Sequence, residues 1–187
     1  IRYDFLWEGG GTKFTFSDGI IIRGNNSHDN YGPGLWTDIN NYNVLYENNT
    51  VTNNLNAGIF HEISYNAIIR NNTVEGNGIG ATQGWCYGAG IQVSASQDVE
   101  VYGNTLRNNN DSIIGIVQNR GGDYTVRNLN VHDNTVINNT VSGSRTGICS
   151  DIGTHPFTAA YNNRYASNTY QGSGHNWTWN NQELGNN

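Results

Sequence analysis

Two tripeptides, Trp36-Thr37-Asp38 and Phe60-His61-Glu62, each set an aromatic residue two positions ahead of an acid. If they occupy equivalent places on successive turns of a repeat, Asp38 and Glu62 lie with their backbones about 4.8 Å apart. That is close to the roughly 5 to 5.5 Å between the carboxyl groups of retaining glycoside hydrolysis. Like charges so near each other are expected to divide their roles, one carboxyl serving as acid and the other as nucleophile or base. Trp36 and Phe60 then offer an apolar platform for a sugar ring. Gln92 and Asn119 fall in the same outward columns, and Trp85 and Tyr87 belong to a long insertion that can wall a groove, so these four join the substrate-binding candidates. A second reading takes Asp38, Glu62 and Asp151, with Asn119, as hard oxygen ligands for calcium. His61 falls in an inward column and is expected to be a buried, neutral, hydrogen-bonded imidazole; it becomes a catalytic candidate if its strand bulges outward. The plain alternative is that these acids only keep a solvent face soluble.

The placement of these residues depends on a repeat. Segments ending in Asn25, Asn49, Asn72, Asn104, Asn134 and Asn163 align as IIIRGN, VLYENN, AIIRNN, VEVYGN, LNVHDN and TAAYNN. A second asparagine follows each at the same offset, at Asn30, Asn54, Asn77, Asn109, Asn139 and Asn168. Stacked asparagines can pass amide hydrogen bonds from coil to coil, and Asn tolerates the left-handed backbone of a tight turn. A further ladder reads Gly34-Leu35, Gly58-Ile59, Gly90-Ile91, Gly115-Ile116 and Gly147-Ile148. Because strand side chains alternate faces, the aliphatic column points inward, followed by Thr37, His61, Val93, Gln118 and Ser150. The outward columns are then Trp36, Phe60, Gln92, Val117 and Cys149, beside Asp38, Glu62, Ser94, Asn119 and Asp151. Alternating pairs such as Val44/Tyr46, Ala67/Ile69, Val99/Val101 and Leu129/Val131 supply another inward wall, and no helical periodicity competes. The prediction is an all-β solenoid of about six coils, stabilised by stacking. The chain reads as one domain over 1–187, with clear repeats over 19–170 and a candidate terminal cover over 172–187.

Composition restricts the partners. The chain has 187 residues, 35% of them hydrophobic and 13% charged, a net charge of -6, and Lys13 as its only lysine. That leaves no basic footprint for nucleic acid or an anionic membrane surface, and no apolar run reaches the length of a spanning helix. A start at Ile1 and the absence of methionine are expected of a mature secreted protein or an excised fragment. Cys86 and Cys149 permit one bridge or two independent thiols. Sequons at Asn48, Asn71 and Asn138 make glycosylation possible in a suitable cell; further sequons begin at Asn25, Asn110 and Asn176.

The stretches GPGLWTDINNYNVLYENNTV, AGIFHEISYNAIIRNNTV and GAGIQVSASQDVEVYGNT resemble the right-handed parallel β-helix repeat proteins of secreted bacterial polysaccharide-active enzymes and their uncharacterised relatives. The resemblance covers about Gly19 to Tyr170. It implies a single-stranded right-handed parallel β-helix, an extracellular or cell-surface location and a polysaccharide partner. In lyases of this fold calcium neutralises a uronate while Lys or Arg abstracts a proton; here Arg120, adjoining the acidic column, is the candidate base. Three functions stay open: a polysaccharide hydrolase or lyase with either no cofactor or calcium, a non-catalytic glycan-binding or adhesive module, and a structural β-helix that associates end to end.

Overall fold

The computed structural model describes residues 9–80, 86–117, 125–150, 159–179 and 182–183. The first coil contains β1 (Ile21–Arg23), β2 (Asn26–His28) and β3 (Leu35–Thr37), and the second contains β4 (Tyr42–Glu47), β5 (Thr50–Thr52) and β6 (Ile59–Glu62). The third has β7 (Tyr65–Arg70), β8 (Thr73–Glu75) and β9 (Ala89–Ser94), and the fourth has β10 (Gln97–Tyr102), β11 (Thr105–Arg107) and β12 (Asp111–Val117). The fifth has β13 (Arg127–His132), β14 (Thr135–Asn138) and β15 (Ser144–Ser150), and the sixth has β16 (Arg164–Ala166), β17 (Thr169–Gly172) and β18 (His175–Trp179). A final short strand, β19 (Gln182–Glu183), pairs antiparallel with β18. Every other strand pairing among the described residues is parallel. The first sheet runs β1-β4-β7-β10-β13-β16, the second β2-β5-β8-β11-β14-β17, and the third β3-β6-β9-β12-β15-β18-β19. This is a parallel β-helix.

Its interior is a set of stacked side-chain columns. From the first sheet come Val44, Tyr46, Ala67, Ile69, Val99, Val101, Leu129 and Val131, all buried. The second sheet adds Val51, Val74, Leu106 and Val136, and the third adds Leu35, Ile59, Ile91 and Ile113. Each fully buried aliphatic side chain contributes roughly 1.5 to 3 kcal/mol, so a slender core accumulates stability by repetition.

The asparagines close the turns. In the first ladder Asn49 Nδ2 donates to Asn72 Oδ1 at 2.9 Å, Asn72 to Asn104 at 2.9 Å and Asn104 to Asn134 at 2.9 Å. Each rung also donates its backbone N–H to the same oxygen, so these buried amides avoid the desolvation cost of about 1 to 3 kcal/mol that an unpaired one carries. The paired asparagines divide their work: Asn48 and Asn71 adopt left-handed φ of 55° and 56°, and the following Asn49 and Asn72 turn inward. Glycines at the corner are dictated by the second ladder. A Cβ on Gly58 would lie 2.9 Å from Asn77 Nδ2 and 2.6 Å from Gly90 O.

Two parts of the expected register are corrected. The sixth rung of the first ladder is Asn168, which accepts from Asn134 Nδ2 at 2.9 Å, whereas Asn163 accepts from the backbone of Leu129. The second ladder passes through Asn30, Asn54, Asn77 and Asn109. It does not continue through Asn139, because β14 runs on to Asn138, which is buried at 1% exposure and donates to Val141 O and Gly174 O.

In the third sheet Leu35, Ile59 and Ile91 stack as expected, and so do Thr37, His61 and Val93. The next coil slips by three residues, an odd number. Ile113 pairs with Ile91, Gly115 with Val93 and Ile116 with Ser94. Ile116 was expected inside and instead faces outward, because a register error of this kind exchanges faces. The slip arises because β12 begins at Asp111, almost directly after Asn109, without the intervening turn of earlier coils. Gly115 is a glycine for another reason: its Cβ would stand 2.9 Å from Leu129 Cδ2 in the interior. The segment expected as a cover contributes β18, which extends the third sheet from β15, with Trp179 packed against the core.

Candidate functional site

The outer face of the third sheet carries two neighbouring columns. Register places Trp36 over Phe60, Gln92 and Ile114, and beside them Glu62 over Ser94 and Ile116. Asp38 directly follows the pair Thr37–His61, so it stands one coil above Glu62. The rings of Trp36 and Phe60 stack at 5.4 Å with an interplanar angle of 13°.

These aromatics face outward, yet they are not an open platform. Trp36 is 2% and Phe60 4% exposed, and Tyr87 packs against both rings' cluster and a second cluster of Cys86, Ala89, Ile114, Ile116 and Cys149. Alternation fixes only the face of a side chain, whereas exposure depends on what lies above it. Cys86 and Cys149 form a disulfide with Cα atoms 6.5 Å apart, which ties the insertion to β15. Gly88 N–H donates to Gln92 Oε1 at 3.2 Å, anchoring the same segment to β9 as well.

Lys13 completes the pair of acids, and sequence reasoning missed it. Phe14 bridges to Thr37, so Lys13 falls in the outward column above Trp36. Its Nζ lies 3.8 Å from the Trp36 ring centroid and 2.9 Å from Asp38 Oδ2. The usable signal was the alignment of Lys13-Phe14 with Trp36-Thr37, concealed because the first partial coil has weak repeat character.

Asp38 and Glu62 are 7% and 6% exposed. Three fully buried polar atoms around them have no hydrogen-bond partner: Trp36 Nε1, Gln92 Nε2 and Asp38 Oδ1. Two are donors and one is an acceptor.

His61 belongs to the interior. Its Nδ1 lies 2.8 Å from Thr37 Oγ1, which lies 2.6 Å from the Tyr46 hydroxyl, and the Tyr46 ring meets the imidazole edge-on. Burial pushes the imidazole down to about 3, partly opposed by a backbone contact at Ser64. The strand does not bulge, and His61 stays neutral behind the sheet rather than among the reacting groups.

Asp151, Arg120, Asn119 and Trp85 lie outside the described residues. The register correction also changes their premise, since Ile116 and Cys149 occupy the outward positions after Ser94. Calcium needs six to eight oxygen ligands. Among the described residues no three His, Cys, Asp or Glu side chains gather, and Lys13 holds Asp38 Oδ2; Asp151 and Asn119, the other members of the calcium reading, lie outside the described residues. Asn48 and Asn71 are exposed at left-handed turns, while Asn138 is buried in the wall and does not offer its amide.

The profile of the right handed beta helix region family matches residues 4–105. The chain belongs to that family. No curated protein and no solved structure matches it closely enough to count as a relative. In this right-handed β-helix the site therefore has to be read from its own chemistry, because the fold alone hosts many functions.

Proposed function

We propose that the protein is a secreted or cell-surface carbohydrate-active enzyme that hydrolyses a polysaccharide on the outer face of its third sheet. The observation carrying this reading is the set of unpartnered buried atoms, Trp36 Nε1, Gln92 Nε2 and Asp38 Oδ1, gathered around two carboxyl groups and a stacked aromatic pair. An unsatisfied buried donor or acceptor costs about 1 to 3 kcal/mol. Sugar hydroxyls would supply the missing partners once Tyr87, packed on the Trp36–Phe60 pair, is displaced. The Cys86–Cys149 disulfide supports an oxidising compartment.

In the proposed reaction Asp38, ion-paired to Lys13, is the carboxylate that attacks the anomeric carbon. Glu62 donates its proton to the departing glycosidic oxygen as that bond breaks. Water then enters, gives a proton back to Glu62, and its oxygen displaces Asp38 from the sugar. The coil rise of about 4.8 Å is close to the roughly 5 to 5.5 Å carboxyl spacing of the retaining pathway.

Turnover is tested by screening neutral and acidic polysaccharides for new reducing ends and, in parallel, for absorbance from unsaturated products. Asp38→Asn and Glu62→Gln should each lower reducing-end release by about a hundredfold or more while unfolding cooperatively. Full turnover in both variants contradicts the assignment, and unsaturated products would identify a lyase. A non-catalytic glycan-binding module is a second reading, favoured by the way Lys13 joins Asp38 and Trp36 into one closed unit. It predicts retention on a polysaccharide without any product.

A further inference from the structure

The turns that lead from the second sheet to the third line up along the solenoid axis. Asp29, Asn53, Gly76 and Asn108 occupy equivalent places there with left-handed φ of 54°, 55°, 67° and 49°. Together they floor a groove of about 640 Å³, whose walls include Tyr31, Leu55, Ile79 and Val141. Tyr31 is 81% and Ile79 48% exposed. A tyrosine this open at a groove takes no part in the core.

Among the described residues the lining contains no Lys or Arg, and its one carboxylate, Asp29, is engaged by His28 Nδ1 at 2.7 Å. An anionic polymer finds no counter-charge in it, on a chain whose net charge is already -6. Carboxamides and backbone groups of the turns alternate with apolar side chains. That mixture suits neutral pyranose units, which present hydroxyls at their edges and C–H groups on their faces. The turns repeat at about 4.8 Å per coil, a rise comparable with the length of one sugar unit.

We propose that this groove binds a neutral polysaccharide strand running parallel to the solenoid axis, with Tyr31 and Ile79 as its apolar contacts. The inference rests on the glycan reading of the third sheet and adds the substrate's charge class and a second binding site. It also favours hydrolysis, since β-elimination requires an acidic sugar.

The test is retention in native affinity gels containing xylan, mixed-linkage β-glucan or polygalacturonate. The wild-type protein should be retarded by at least one neutral polymer and not by polygalacturonate. Tyr31→Ala and Ile79→Ser, both at exposed positions, should weaken that retention by roughly three- to tenfold each with unchanged unfolding midpoints. Equal retention of wild type and both variants overturns the proposal, as does retardation by polygalacturonate alone or by no polymer. Asp38→Asn separates the two sites. If it keeps full turnover while Tyr31→Ala loses retention, the catalytic reading fails and the groove stands; if it loses turnover while Tyr31→Ala is retained normally, only the groove fails.

Discussion

The outer faces of the first and third sheets are built by the same stacking rule and differ in whether their polar groups are satisfied. On the first sheet Arg23, Glu47, Arg70, Tyr102 and His132 form one continuous column. Arg23 Nε donates to Glu47 Oε2 at 2.7 Å, Arg70 Nε to Glu47 Oε1 at 2.7 Å, and Arg70 Nη1 to the Tyr102 hydroxyl at 2.9 Å. Tyr102 stacks on His132 at 5.2 Å, and His132 reaches both Asp133 and Glu100. None of these side chains has a buried polar atom without a partner. On the third sheet Trp36, Asp38 and Gln92 each retain a buried polar atom without a partner under a segment fixed by a disulfide. We propose that this difference marks the third-sheet column, rather than the first, as the place where a ligand completes the bonding.

The largest expected effect comes from removing the cover on the third sheet. Cys149→Ser should lower unfolding stability by about 2 to 5 kcal/mol and increase acrylamide quenching of tryptophan fluorescence as Trp36 loses its shield. Undiminished stability with unchanged quenching would show that the disulfide does not hold the cover. A smaller loss is expected where a buried polar column is fully satisfied. Asn72→Ala deletes a rung bonded above and below, and urea unfolding should report a loss of about 1 to 3 kcal/mol. The two outer faces should then respond in opposite directions to loss of one carboxylate. Glu47→Gln should lower stability, whereas Asp38→Asn should leave it unchanged or raise it, because relief of the acid pair offsets the loss of the Lys13 contact.

The smallest effect is in pH dependence and is confined to the first sheet. Hydrogen bonding from Arg23 holds the Glu47 carboxyl below its ordinary range; burial opposes it, and Arg70 adds to the lowering. Its contribution is full above the unfolded value of about 4.3 and is lost as pH falls through the lowered folded value. Asp133, then Glu100, raise the His132 imidazole. That contribution is full below the unfolded value of about 6.5 and disappears as pH rises through the raised folded value. Thermal unfolding of His132→Asn should lose this alkaline-side dependence. An identical profile in variant and wild type would remove His132 from the network.

Much of the scaffold was legible because residue type and interval coincided. Asn49, Asn72, Asn104 and Asn134 recur with the same neighbours and stack as read. Leu35, Ile59 and Ile91 mark the inward column correctly. The errors came where one residue type served two purposes. Gly115 resembled a corner glycine and relieves crowding in the core instead, and Asn163 resembled a ladder rung that Asn168 supplies. The acids and aromatics were assigned to the right face, but alternation says nothing of cover, so the burial of Trp36 and Phe60 was not foreseen. The pairing of Cys86 with Cys149 depends on how an insertion crosses coils, which no spacing in the repeat encodes. Lys13 was passed over because the first partial coil lacks the ladder residues that would have aligned it.

The central claim is that the unpartnered atoms on the third sheet await a sugar. A crystal structure of Glu62→Gln soaked with an oligosaccharide fragment of a polymer the protein cleaves addresses it most directly. The predicted result is a pyranose against Trp36 and Phe60, with hydroxyl oxygens within hydrogen-bond distance of Trp36 Nε1 and Gln92 Nε2. Ordered waters satisfying those atoms, with the fragment bound elsewhere on the molecule, would contradict it.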